Sequence, residues 1–167
     1  MRLGAFAATL ALAASLAAVA LAAGSSMSIG SAPNAKLGEQ VLVNPQDRTL
    51  YELSPETAGH LLCKARCLSF WPPLTVRSRS VKLKAGTGVQ GHLGLVRRHN
   101  GMLQVTLAGR PLYRYAGDHA KGDANGQEIH SFGGIWHAVT ASTTPSTTTP
   151  TVPGAPSPPA YPSQPGY

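Results

Sequence analysis

Arg48-Thr49-Leu50-Tyr51 and Arg110-Pro111-Leu112-Tyr113 are the stretches that decide the fold, because the chain says nearly the same thing twice. Each tyrosine is followed five positions later by an acid, Glu56 in the first copy and Asp118 in the second. Each is then followed by a tryptophan, Trp71 after 71 − 51 = 20 residues and Trp136 after 136 − 113 = 23. Self-similarity at matched offsets is the mark of a duplicated supersecondary unit.

Working outward from these anchors, the local pattern is strand and turn. Val41-Leu42-Val43, the turn formers Asn44-Pro45-Gln46-Asp47, and residues 48–53 read as a hairpin. In the second half, residues 93–98 and 102–107 flank His99-Asn100-Gly101, and Asn-Gly is a strong hairpin signal because both residues tolerate positive φ. Ala108-Gly109 turns the chain into residues 111–115, and residues 136–139 supply a closing strand. Only residues 58–70 read as helical, with Leu61, Leu62, Ala65 and Leu68 on one side. The expected fold is mainly β, a small antiparallel domain built from two pseudo-repeats that share one core, with one short helical segment.

The ends have different compositions. Met1-Arg2 precedes an Ala/Leu-rich apolar stretch that closes on Ala20-Leu21-Ala22, the small-x-small form of a signal-peptidase site. Residues 1–23 therefore read as a signal peptide, with retention as an anchor the alternative because about 20 apolar residues can span a bilayer. After cleavage no transmembrane segment is expected. Residues 24–36 read as a linker, 37–140 as the two-repeat β domain, and 141–167 as a disordered Thr/Pro-rich tail, a spacer of the kind often glycosylated on exported proteins. The expected location is the cell envelope or the outside.

Cys63 and Cys67 are the only cysteines. Thiols oxidise in an exported protein, the C-x3-C spacing puts both on one helical face, and zinc would want four ligands, so a structural disulfide is expected. The spacing fits neither a C-x-x-C redox pair nor C-x-x-C-H haem attachment.

Tyr113-Arg114-Tyr115-Ala116-Gly117-Asp118 fits Y-x-[FWY]-x-x-D. Around it stand Cys63-x3-Cys67, Trp71-Pro72-Pro73-Leu74, Gly122-Asp123, Asn125-Gly126-Gln127 and Gly133-Gly134-Ile135-Trp136. In this order the pieces resemble a family of bacterial exported repeat proteins, often described as lipoproteins and of unknown function. The resemblance covers residues 42–139. The first copy departs from it, with Leu53 at the aromatic position and Glu56 in place of aspartate. Many members of that family carry a lipidated cysteine just after the signal, whereas both cysteines here lie far downstream, so the lipoprotein label does not transfer.

The chemistry-bearing residues point to structure more than to reaction. Tyr51, Glu56, Trp71, Tyr113, Tyr115, Asp118, Asp123 and Trp136 form the motif set and are expected to serve the fold. Acids in Gly-rich loops usually accept backbone N–H bonds, and Asp123 to Glu128 lacks EF-hand spacing. Six histidines, at 60, 92, 99, 119, 130 and 137, leave an exported metal-binding protein as the alternative, although no two have i, i+4 spacing. No G-x-S-x-G elbow or phosphate-cradling loop occurs, so no catalytic residue, cofactor or resident metal is expected.

Charge gives the one hint of a partner. The net charge is +7, and between Glu56 and Asp118 there is no acid but ten Lys and Arg residues. Arg77, Arg79, Lys82 and Lys84 alternate, which on a strand would set four cations on one face. Such a row suits an anionic envelope polymer or lipid headgroups. It equally suits a solvated edge that blocks aggregation. Nucleic acid is not expected for an exported chain.

Overall fold

The computed structural model describes residues 25–141. The expected signal peptide and residues 142–167 of the expected tail lie outside them. Ten strands and one short helix follow in order: β1 Ser26–Asn34, β2 Glu39–Val43, β3 Tyr51–Ser54, α1 Cys67–Phe70, β4 Thr75–Val76, β5 Lys82–Ala85, β6 Leu93–Arg97, β7 Leu103–Leu107, β8 Arg110–Pro111, β9 Ile129–Ser131 and β10 Gly134–Ala138. The fold is mainly β, as expected. Its sheets run β2-β1-β5, β3-β10-β9 and β4-β7-β6, with β8 also paired to β7, at Thr106 and Leu107. All pairings are antiparallel except β1 with β5.

The hairpins form where turn chemistry placed them. Asn44 Oδ1 accepts the N–H groups of Gln46 and Arg48 at 3.0 and 2.9 Å, and Asp47 takes a positive φ of 56°. The Asn44 side chain thus supplies the acceptors that a tight turn leaves its amides seeking. Asn100-Gly101 joins β6 to β7 in the same spirit, with Met102 N–H donating to Asn100 Oδ1.

The interior is two cores and not one. An aliphatic core gathers Ile29, Leu42, Leu50, Leu74, Val76, Leu103, Val105, Leu107 and Leu112. An aromatic core gathers Val41, Val43, Tyr51, Leu53, Cys63, Cys67, Trp71, Tyr113 and Trp136. Successive residues dip into opposite cores: Leu42 between Val41 and Val43, Leu50 before Tyr51, Leu112 before Tyr113. Side chains alternate along extended chain, so a wall buried on both faces must carry continuous apolar runs, and these segments do.

Backbone hydrogen bonds tie that wall together in two closed rings. Leu42 N–H donates to Val139 O, Val139 N–H to Leu50 O, and Leu50 N–H to Leu42 O, at 2.7–2.9 Å. Leu74 N–H donates to Leu112 O, Leu112 N–H to Val105 O, and Val105 N–H to Leu74 O, at 2.8–2.9 Å. Leu74 and Val139 each stand three residues after a motif tryptophan, and Leu50 and Leu112 each stand one before a motif tyrosine. Each ring therefore joins the tyrosine strand of one half to the post-tryptophan strand of the other. Tyr51 and Tyr113 meet between the rings and exchange both N–H···O bonds at 2.9 Å.

Four further expectations are corrected. Residues 24–36 are not a linker: β1 fills most of the segment and buries Ile29 completely. Ala141 is not tail, since it is buried and donates its N–H to Gln40 O at 2.8 Å. Residues 58–70 form one helical turn at Cys67–Phe70 instead of a helix, because Ala65 adopts a φ of 44° and Glu56 takes the N–H groups of Leu62 and Cys63. Arg77, Arg79, Lys82 and Lys84 do not share a strand face. The first two lie in the turn after β4, and only the lysines are on β5.

Candidate functional site

The motif residues come together in the aromatic core. Trp71 and Trp136 stack with ring centroids 3.8 Å apart and planes 4° from parallel. Tyr113 meets Trp136 edge-on at 5.1 Å, Tyr51 meets Trp71 edge-on at 5.4 Å, and Tyr115 lies against Trp71 at 4.4 Å. The edge-to-face pairs suit the ring quadrupole and add to the area each ring buries. Gly126 passes so near that an added Cβ would lie 2.8 Å from the Trp71 ring and 2.9 Å from the Tyr51 ring.

Both acids of the motif serve this core. Asp118 Oδ2 accepts the Tyr51 hydroxyl at 2.7 Å while Oδ1 accepts Asn125 N–H at 2.9 Å. Glu56, fully buried, uses Oε1 for the N–H groups of Leu62 and Cys63 at 2.7 and 3.0 Å, and its Oε2 has no partner. Each acid thus accepts the N–H seven residues on, Cys63 from Glu56 and Asn125 from Asp118. The tyrosine each acid faces belongs to the other half. Burial raises the Tyr51 pKa and Asp118 raises it further; burial raises the Tyr113 pKa and the Glu56 charge adds to it.

Asp123 Oδ2 accepts the N–H groups of Ala120 and His119 at 2.7 Å each, which holds its carboxyl below the ordinary range. The loop they shape is pinned from the first half, by Arg48 Nη1 to Asp118 O at 3.1 Å and by Thr49 Oγ1 to Asp123 O at 2.6 Å. Cys63 and Cys67 are disulfide-bonded, with Cα atoms 5.3 Å apart. Among the described residues no three His, Cys, Asp or Glu side chains form a set that could hold a metal ion.

Sequence reasoning missed Arg98. It is one of the ten cations between Glu56 and Asp118, yet it is 5% exposed. Its guanidinium donates to Gln104 Oε1, to Cys63 O and, at 3.1 Å, to the Tyr113 hydroxyl. Nothing in the pair Arg97-Arg98 says which faces inward. Only the strand alternation from Leu93 onward carries that information, and it ends at Arg97, the last residue of β6.

The remaining cations of the acid-free stretch behave differently. Arg110 pairs with Glu52 at 2.7 Å. Lys64, Arg66, Arg77, Arg79, Lys82, Lys84, Arg97 and Arg114 are all exposed and join no ion pair among the described residues. Lys82 and Lys84 point outward from β5 while Val81 and Leu83 pack against the aliphatic core. No helix among the described residues is long and apolar enough to cross a membrane.

Residues 94–140 match the model of a family described as a secreted repeat of unknown function. The match supports the resemblance to exported repeat proteins and an exported location. It contains Tyr113, Asp118 and Trp136 and leaves out Tyr51, Glu56 and Trp71. Among curated proteins and solved structures, none matches the chain.

Proposed function

We propose that the chain is an exported, non-catalytic module of the cell envelope or extracellular space. In this reading the buried motif is architecture, and the exposed cations contact anionic envelope polymers or lipid headgroups. The observation that carries it is the set of eight exposed cations without ion-pair partners, drawn from a stretch of sequence that has no acid. Unneutralised charge of one sign raises the local concentration of an oppositely charged surface. Two of the carboxylates that would weaken that field are instead paired with other cations, Glu52 with Arg110 and Asp47 with Lys121.

The two halves are read as copies of one unit that exchange their post-tryptophan strands. The paired rings of hydrogen bonds and the shared acid-to-amide offset support this. Export is read as proceeding through a cleaved signal at residues 1–23, and an intact mass lacking those residues is the expected result for exported protein.

The contact reading is tested by co-sedimentation of mature protein with vesicles of anionic or neutral phospholipid and with an anionic polymer lacking lipid, at low and high salt. Binding is expected only with the anionic partners, and the polymer arm separates headgroup from polymer recognition. It should fade as the Debye length contracts from about 30 Å at 0.01 M to about 8 Å at 0.15 M. Equal binding to neutral vesicles, or indifference to salt, contradicts the proposal.

A further inference from the structure

A second surface lies beside the aromatic core and is not basic in character. Phe70 and Phe132 are 42% and 39% exposed, the exposed large hydrophobic residues of the described chain, and their rings sit 6.1 Å apart. Beside them opens a cleft of about 340 Å³, lined also by Trp71, Tyr115, Arg66 and Ser131. The Arg66 guanidinium stands 5.8 Å from the centre of the Phe70 ring. Phe132 reaches this place at some cost. It occupies the first position of the β9–β10 turn with a φ of 54°, followed by Gly133 at 88°. Asparagine or glycine fills that conformation with less strain, and a bulky side chain there is an outlier that asks for a functional reason.

The chain beyond residue 141 supplies an occupant of matching chemistry. Proline recurs at every third position at Pro150, Pro153, Pro156, Pro159, Pro162 and Pro165. A polyproline II helix has three residues per turn, so these six would align along one edge for 165 − 150 = 15 residues, about 46 Å at 3.1 Å per residue. Val152, Ala155, Pro158 and Tyr161 would form a second, apolar edge, and Thr151, Gly154, Ser157, Ala160 and Ser163 a third of small residues. Such a rod pays little ordering entropy on binding, and grooves lined with aromatic rings are its common receptor. Arg66 can donate to its solvated carbonyls, and so can the Ser131 hydroxyl, whose oxygen already accepts Trp136 Nε1–H at 3.2 Å.

We infer that part of the proline-periodic segment 150–165 docks, within the same molecule, in the cleft beside Phe70 and Phe132. Reach favours the intramolecular occupant. From Gly134, beside the cleft, to Ala141 the chain advances 141 − 134 = 7 residues, about 23 Å at 3.3 Å each. Returning that distance takes about 8 residues in polyproline II geometry, which ends near residue 149, immediately before the first periodic proline. Neither the segment nor the apolar rings carry charge, so docking does not depend on salt. Its outcome is therefore separable from that of the anionic-surface proposal.

The test is nuclear magnetic resonance on the full mature chain, isotopically labelled. Contacts are expected between the rings of Phe70 and Phe132 and the proline side chains of residues 150–165, unchanged by dilution or salt. The F70S/F132S double variant alters two exposed rings. It should lose those contacts and move the tail resonances to those of a free synthetic peptide spanning residues 148–167. A second variant, P153A/P156A/P159A, lies outside the described domain and should weaken the same contacts, shifting the resonances of the residues that line the cleft and leaving the rest of the domain spectrum unchanged. Tail resonances of the unaltered chain that already coincide with the free peptide overturn the inference. So do contacts that appear only between differently labelled molecules, which would make a second copy the occupant.

Discussion

At the scale of the residue, Tyr51 and Tyr113 have side chains withdrawn from water, each facing an acid of the other half. Burial raises both phenol pKa values above the ordinary 10, with Asp118 and Glu56 reinforcing it. The folded state then holds protons that the unfolded chain releases above pH about 10, so stability falls as pH rises past that value. Chemical unfolding from pH 8 upward should show this alkaline decline, and Y51F and Y113F should each flatten it. Asp123 has the opposite sign. Its folded pKa is lowered by the amides of Ala120 and His119, so its contribution is present above the unfolded value near 4 and lost as pH falls below it. D123N should flatten the acid limb. Arg98 gives the largest expected loss among these residues, because R98M strips partners from Cys63 O and Gln104 Oε1 and removes a buried positive charge near Glu56. A cost on the order of 3 kcal/mol or more is expected by denaturant unfolding. The tyrosines and acids were legible from their repeated spacing, whereas Arg98 was not, since inward and outward arginines look alike without the sheet.

At the scale of the element, two variants separate backbone demands from side-chain ones. Gly134 opens β10 directly against β3, and an added Cβ would lie 1.8 Å from Ser54 O. A backbone atom cannot swing aside, so G134A should cost about 3 kcal/mol or prevent folding, measured as yield and unfolding midpoint. The disulfide closes a short loop, for which chain entropy predicts about 2 kcal/mol. C63S/C67S protein should therefore be less stable by that amount yet folded, with the near-ultraviolet dichroism of the stacked tryptophans retained. The hairpins at Asn44 and Asn100 were readable because side-chain acceptors fix turns locally. β1 was not, because Ser, Gly and Ala dominate it and only the alternation of Met27 and Ile29 betrays a strand. Residues 58–70 carry helical periodicity, but Glu56 offers two of their amides a better acceptor and Ala65 turns left-handed, so tertiary context overrides the pattern.

At the scale of the whole molecule, buried and exposed polar groups separate: the motif builds the aromatic core, and the proposed contact with an anionic partner falls to the exposed cations. Alternation along residues 77–84 suggested four cations on one strand, but only Lys82 and Lys84 follow it, since the chain turns between β4 and β5 before β5 pairs with β1. The proposed binding surface is accordingly a field of dispersed charges, which sequence periodicity cannot draw. The most direct measurement pairs thermal unfolding with anionic-vesicle binding for two variants of the mature protein. R77Q/R79Q/K82Q/K84Q alters four exposed side chains and should keep the melting temperature while losing most of the low-salt binding. D118A leaves the Tyr51 hydroxyl and Asn125 N–H without their acceptor, at a cost of about 1–3 kcal/mol. It should melt lower, by about 4–8 °C per kcal/mol, and bind normally while folded. The reverse pattern, binding lost in D118A at unchanged stability and kept in the glutamine variant, would contradict the account and make the motif the binding site.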